Sequence, residues 1–348
     1  MKNYDYSLDV IKGISCILMI IAHVPLYFNG NERMFQVFAS LAPVLFFAVS
    51  GVTTTFQARR RSFKSLFCFY VLFAVIGFSY NLMWRPSLQA FSVMDVPQII
   101  ALGVLSIFLI EKYLKPNIYI YLVLAFVVFL IHFYIGKQLP DFPLKAILFT
   151  ETTGFTYFPW MFAFLAGIFA YKCSNIFNLI GALAAALLLA LSLMGGIHDG
   201  TFIKYNMSIE YFLFTLTILF GTFYVFRWKK NYSSRSPIIF FGKHSFLFLF
   251  THLFFILTFD WLGLSGLYIV LVWGLVFVCT YAAMLILLWL NRYIERYFDH
   301  LLLWILIVMA TVSIPLVISN AQLIILSEAF IGVLFSLNYK KLSKLMPT

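Results

Sequence analysis

Charge is what this sequence has least of. Only 11% of its 348 residues are Asp, Glu, Lys or Arg, whereas soluble domains carry about 25%. A chain so short of charge cannot coat itself for water. No hydrophilic stretch is long enough to fold as a separate soluble domain, so residues 1–348 read as one membrane-embedded domain. Cysteine is equally sparse. Cys16, Cys68, Cys173 and Cys279 are scattered through apolar runs, where the thiol acts as a small hydrophobe. Their spacing excludes a disulfide framework and a zinc centre, and no other metal site is indicated. Glycine-rich phosphate loops, a metalloprotease His pair and a Ser-His-acid nucleophile set are also missing.

Apolar and aromatic residues fill the space. Hydrophobic types make up 63% of the chain, with 42 Phe and 20 Tyr. Twelve apolar segments have the length or composition of membrane spans: 8–28, 36–57, 65–82, 96–111, 117–135, 156–171, 176–194, 208–226, 238–259, 267–290, 301–319 and 321–339. The fold class is therefore all-α, a polytopic transmembrane helical bundle of about 10–12 spans, since only helices and closed barrels satisfy their backbone in lipid. The first segment continues as LYFNGNERMF with no small-residue cleavage site, and reads as a retained helix. Aromatic-rich ends such as YFPWMF and LMWRP fit interfacial belts.

The net charge of +11 is distributed by topology and not as a nucleic-acid footprint. With the N-terminus cytoplasmic, nineteen of the 24 Lys and Arg fall on inner connections. The five outside are Arg33, Arg85, Lys137, Lys145 and Lys204. That bias puts both termini in the cytoplasm. The inner basic residues would meet anionic membrane lipids, and some could hold a phosphorylated ligand.

Within the first span, SLDVIKGISCILMIIAH, three polar residues stand out: Asp9, Lys12 and His23. Eleven residues of helix separate Lys12 from His23, about 16 Å of rise, and return to nearly the same face. One reading is structural, with Asp9 and Lys12 neutralising each other near the headgroups and His23 bonded to another helix. The other is a cleft entered past a cationic mouth and ending at an imidazole, whose unperturbed titration near neutrality suits a general base. Gly13 would let a neighbouring backbone or a ligand approach closely.

The same residues carry a resemblance. An acidic residue, a basic residue followed by Gly, and a His eleven positions further on resemble the opening of the integral-membrane acyltransferase superfamily that includes bacterial sugar O-acyltransferases. APVLFFAVSGVTTTFQARRR resembles their Phe-rich helix ending in Ser-Gly before a basic loop, on Ser50, Gly51 and Arg59 to Arg61. YFPWMFAFLAGIFAY is similar to a later helix of that superfamily. GKHSFLFLFTHLFFI is similar to its recurring Gly, aromatic run and His, on Gly242, Ser245 and His252. Two positions depart from the pattern: Lys12 stands where Arg is usual, and Gly51-Val52 where Gly-Phe is usual.

The resemblance implies transfer of an acyl group, with acetyl the expected one, from cytosolic acyl-CoA to a hydroxyl or amine of a carbohydrate or lipid-linked glycan. It implies no bound prosthetic group and a bacterial cytoplasmic membrane. His23 would be the general base and His252 a second catalytic candidate. Lys12, Arg59, Arg60, Arg61 and Lys243 would receive the donor phosphates. Membrane N-acetyltransferases share these landmarks, so O- and N-acylation both stay open, as does a homo-oligomer.

Three acidic residues complete the candidates. Glu328, inside the last span, is a buried carboxylate and a third catalytic candidate. Asp260, near the outer end of its span, and Glu151, in the outer connection 137–160, are acceptor-side candidates with Asp9. The competing function is a secondary transporter of a small polar solute, with Glu328 as its coupling group. No internal repeat supports it. A non-enzymatic membrane assembly protein is the remaining class.

Overall fold

Long apolar stretches broken by few Gly and Pro leave the helix as the way to satisfy the backbone, and helix is what forms. The computed structural model describes residues 5–26, 37, 39–136, 138–140, 142, 144–149, 154–195, 207–228, 232, 236–264 and 267–346. Its principal helices are α1 (Tyr6–His23), α2 (Ala42–Ala58), α3 (Phe63–Ile76), α4 (Phe78–Trp84), α5 (Val96–Leu109), α6 (Ile118–Leu130) and α7 (Tyr157–Lys172). They continue as α8 (Asn175–Met194), α9 (Ile209–Trp228), α10 (Pro237–Lys243), α11 (Ser245–Trp261), α12 (Ile269–Ile294), α13 (Leu301–Val317) and α14 (Ala321–Leu345). No strand occurs among the described residues.

Side-chain caps set several starts. Ser62 accepts from the Ser65 amide, Asn117 from those of Tyr119 and Ile120, and Asn320 from that of Leu323. The connection before α6 is set just as locally. Lys115 turns left-handed at φ 45°, and Pro116 cannot continue the helix.

Among the described residues, eight helical segments are long and apolar enough to cross a membrane. The chain is thus a polytopic, all-α membrane protein. Helix occupies part of each of the twelve expected segments, but α2, α7 and α13 have only 17, 16 and 17 residues. The segment 238–259, expected as one continuous span, divides into α10 and α11 at His244 and counts as a ninth span only if the two are joined. His244, at φ −114° and ψ 27°, leaves helical geometry, so the hydrogen-bond ladder is interrupted there.

The chain forms two compact units: residues 1–15, 40–60 and 102–243, and residues 16–39, 61–101 and 244–348. In the first, glycines bring backbones together. A Cβ on Gly51 would overlap the Phe164 carbonyl oxygen, and one on Gly167 would come within 2.5 Å of Ala48 Cα. Positions rise on α2 as they fall on α7, so the helices run antiparallel with small residues at the crossing, the arrangement that permits close approach in membranes. Phe47 stacks on Phe164 beside it, with ring centroids 5.1 Å apart. The start of α1 and α10 repeat the device. A Cβ on Gly13 would overlap the Ile238 carbonyl oxygen, and one on Gly242 would overlap that of Asp9. Of the two kinds of neighbour that Gly13 was expected to admit, the structure supplies a backbone.

This packing also corrects the reading of YFPWMF as an interfacial belt. Trp160 is fully buried, edge-on to Phe47 and Phe155 at 5.6 and 4.8 Å, because α7 is enclosed on the side where α2 meets it.

The second unit is filled by rings. Phe246 of α11 stacks on Phe73 of α3 at 4.8 Å and meets Phe335 of α14 at 5.2 Å, while Trp304 of α13 meets the same Phe335 at 5.9 Å. Here Gly332 of α14 lies where a Cβ would overlap the Phe250 ring, and a Cβ on Gly77 would come within 2.5 Å of Pro97 Cβ. Phe250 faces Gly332 and Phe246 faces Phe335, so α11 and α14 run antiparallel.

Candidate functional site

The run SFLFLFTHLFFILTF gives α11 nothing polar to spare, and the one imidazole in it must find partners inside the second unit. His252 is 0% exposed. Its Nδ1 lies 2.7 Å from the carbonyl oxygen of Phe248, one turn earlier. A carbonyl only accepts, so Nδ1 carries the hydrogen and Nε2 of the neutral ring is a lone pair. That lone pair faces His23 Nδ1 at 3.0 Å. His23 therefore donates from Nδ1, and its own Nε2 is the basic nitrogen. One backbone carbonyl fixes the tautomers of two rings.

Aromatic contacts hold the pair. The two imidazoles lie nearly parallel, 20° between planes and 5.2 Å between centroids. Trp84 at the end of α4 meets His23 edge-on at 4.9 Å, and Phe248 stacks on His252 at 4.9 Å. Behind them Tyr80 bridges Trp84 and Phe250, at 6.3 and 5.9 Å. His23 is partly exposed whereas His252 is sealed. Taking a proton on Nε2 would make His23 a cation whose existing bond to His252 becomes charge-assisted.

Glu328 belongs to the same unit but not to the pair. Both nitrogens of His252 are used by Phe248 and His23, so neither is left for the carboxylate. Glu328 is fully buried, neither oxygen has a hydrogen-bond partner among the described residues, and its neighbouring hydroxyl is that of Ser79. Ser79 lies five residues before Trp84 on α4, about 7.5 Å along the axis. Asp260 sits half-buried at the end of α11, eight residues beyond His252, or about 12 Å of rise.

The remaining candidates lie elsewhere. In the first unit, Asp9 is buried in the opening turn of α1, Lys12 is half-buried, and Lys243 is exposed with its ammonium 4.8 Å from the centre of the Tyr6 ring. Arg59 and Arg60, also in that unit, are exposed just past the end of α2. Arg61, half-buried, opens the next stretch of the second unit. Glu151 lies outside the described residues.

Sequence reasoning did not single out Trp84, Tyr80, Ser79 or Thr311. Trp84 in LMWRP was grouped with interfacial aromatics, yet its ring borders His23. The spacing of Tyr80 and Trp84, one helical turn, was the available signal; the partner across the unit was not. Comparison of the chain with protein-family models and with curated proteins finds no match in either.

Proposed function

We propose that the protein is a membrane acyltransferase in which His23 is the general base and His252 its positioning partner. The observation that carries this reading is the 3.0 Å contact between His23 Nδ1 and His252 Nε2, with His252 anchored on the Phe248 carbonyl. It holds Nδ1 of the more exposed ring by a hydrogen bond, and an oriented imidazole suits general-base work. The sequence resemblance supplies the reaction class. An acceptor hydroxyl or amine attacks the thioester carbonyl of acyl-CoA while Nε2 of His23 takes the acceptor proton. The C–S bond then breaks, and His23 returns the proton to the departing thiolate. Donor phosphates are assigned to Lys12, Arg59, Arg60, Arg61 and Lys243, and the acceptor to a carbohydrate or lipid-linked glycan. The same reading carries 10–12 spans, cytoplasmic termini and a bacterial cytoplasmic membrane, as the positive-inside bias suggests.

The test is single-turnover transfer from saturating acetyl-CoA to a panel of sugars and amino sugars, in folded wild type and His23→Gln. Gln keeps hydrogen-bonding capacity but is not a base at neutral pH. The transfer rate should fall about 10²–10⁴-fold, with the melting temperature of the purified protein little changed. A rate within a few-fold of wild type removes His23 from the mechanism. Glu328 gives the transporter reading its own observation, a carboxylate buried without a hydrogen-bond partner. Solute uptake with no CoA thiol release would favour it.

A further inference from the structure

Around Glu328 lies a short chain of hydroxyls whose directions can be worked out. Thr311 Oγ1 donates to the Ile307 carbonyl, 3.0 Å away on its own helix. Its proton is thereby committed, so in the 3.4 Å contact with Ser79 Oγ the serine is the donor. Ser79 then has only lone pairs to offer the neighbouring carboxyl of Glu328. A carboxylate there would face acceptors alone, and neither of its oxygens has a hydrogen-bond partner among the described residues to offset its charge. All three side chains are fully buried.

The surrounding charges point the same way. Helix α14 packs against α3, α4, α11, α13 and the turn Glu295–Asp299. The cations on these elements gather at its far end. Lys341 binds Asp299 at 2.8 Å, which brings Arg296 and Glu295 of the same turn to that level. Phe69 meets Tyr339 and Phe73 meets Phe335, so α3 runs antiparallel to α14 and Lys64 falls near Lys344. Lys340, the nearest of the three lysines on α14, is twelve residues from Glu328, about 18 Å along the axis. The other titratable groups on these elements are Cys68 and Tyr70 on α3, Tyr80 on α4, Tyr297 in the turn and Tyr339 on α14, none of them a cation; α12, joined to α14 through Asn291 and Asn338, adds Cys279, Tyr281 and Tyr293 and, at that same far end, Arg292. On α11, His252 has both nitrogens occupied and Asp260 is a like charge; α13 carries no titratable side chain.

We propose that Glu328 is a proton-binding site within the second unit: a carboxyl buried with no hydrogen-bond partner among the described residues and held neutral beside the hydroxyls of Ser79 and Thr311. The site is independent of the acyl-transfer reading. A metal cation is the poorer occupant, because hard cations take about six or more oxygen ligands and these side chains supply four at most. Loss of the proton would turn the Ser79 hydroxyl toward the carboxylate, since a charged acceptor makes the stronger bond. That move releases Thr311 and with it a polar link between α4 and α13.

Infrared spectroscopy of the purified full-length protein at neutral pH reads the site directly through the carbonyl stretch of a protonated carboxyl group. We expect such a band in wild type, its absence in Glu328→Gln, and its displacement in Ser79→Ala, where the carboxyl loses its neighbouring hydroxyl. A spectrum without the band, or a band that persists in folded E328Q, overturns the proposal. So does a band abolished when N-methylglucamine chloride is exchanged for sodium chloride, which would make the site a metal-cation site. If E328Q does not fold, Ser79→Ala decides: a band that stays in place in folded S79A overturns the assignment.

Discussion

The two units solve the problem of a charge-poor interior in opposite ways. In the first, helices touch backbone to backbone at Gly13, Gly51, Gly167 and Gly242, and aromatic rings fill what remains. Its polar groups work mainly at helix ends. Asp5 accepts from the Ser7 amide and the Tyr171 hydroxyl, Lys172 pairs with Glu111, and Arg227 donates to the carbonyls of Ala170 and Cys173 at the end of α7. In the second, Gly332 lies against a ring and not a backbone, aromatic contacts fill the interior, and polar side chains pair between helices: His23 with His252, Ser79 with Thr311, and Asn291 with Asn338. Motifs that look alike in sequence therefore divide: glycines lie at backbone contacts in the first unit, and His23 pairs with His252 in the second.

The contrast breaks most visibly at the glycines. Gly242→Ala and Gly13→Ala force a methyl into a carbonyl oxygen on a neighbouring helix, where neither backbone can rotate away. Overpacking of this kind typically costs about 1–3 kcal/mol and occasionally more, and we expect both variants to lose most of their folded yield. Gly51→Ala should follow, with Gly167→Ala next. Gly221→Ala and Gly274→Ala are the controls. A Cβ at either meets nothing within 4 Å, and alanine favours a helix by about 0.8–1 kcal/mol over glycine. Monodisperse yield and melting temperature in detergent give the ranking. Equal behaviour of G242A and G274A would refute the backbone-contact account.

In the second unit the expected damage is to rate and not to yield. His252→Leu removes the acceptor that fixes the His23 tautomer, while His252→Gln restores an oxygen able to accept from Nδ1. For hydrogen-bond partners that orient a functional imidazole, losses of about 10–100-fold are usual. We expect that range in kcat for H252L, with partial recovery in H252Q and the KM for acyl-CoA unchanged. A shifted pH–rate profile should accompany the loss, because the tautomer at Nε2 is no longer held. If the Leu and Gln variants lose activity equally and in step with their melting temperatures, His252 is structural only.

How much of this was legible beforehand depends on range. Helices, the unbroken run from Lys12 to His23, and the caps at Ser62, Asn117 and Asn320 are local, written in apolar runs and cap residues a few positions apart. The break at His244 was hidden because its neighbours are all compatible with helix, and the close approach of Gly242 to the Asp9 carbonyl, more than two hundred residues away, is not written in them. His23 and His252 could both be named from sequence, but their contact spans 229 residues and rests on a carbonyl, which no side-chain pattern encodes. Glu328 was visible as an oddity. Its hydroxyl neighbours Ser79 and Thr311 were not, because small polar residues in apolar helices usually bond back to their own backbone, as Thr311 also does.

The smallest effect sharpens the comparison at Asn291 of α12 and Asn338 of α14. Each amide donates to the other's oxygen, at 3.2 and 2.8 Å, and Asn338 also donates to the Leu334 carbonyl. If the second unit tolerates polar pairs because they are mutually satisfied, the two residues should be coupled. Interhelical hydrogen bonds inside membranes are worth about 0.6 kcal/mol each, so two reciprocal bonds predict a coupling of about 1 kcal/mol. Asn291→Leu alone should cost more than the double variant with Asn338→Leu would suggest by simple addition. The single change strands a buried amide, and the double change replaces both with apolar bulk. A double-mutant cycle of denaturant unfolding in mixed micelles measures the term. Additive losses would mean that the pair is incidental.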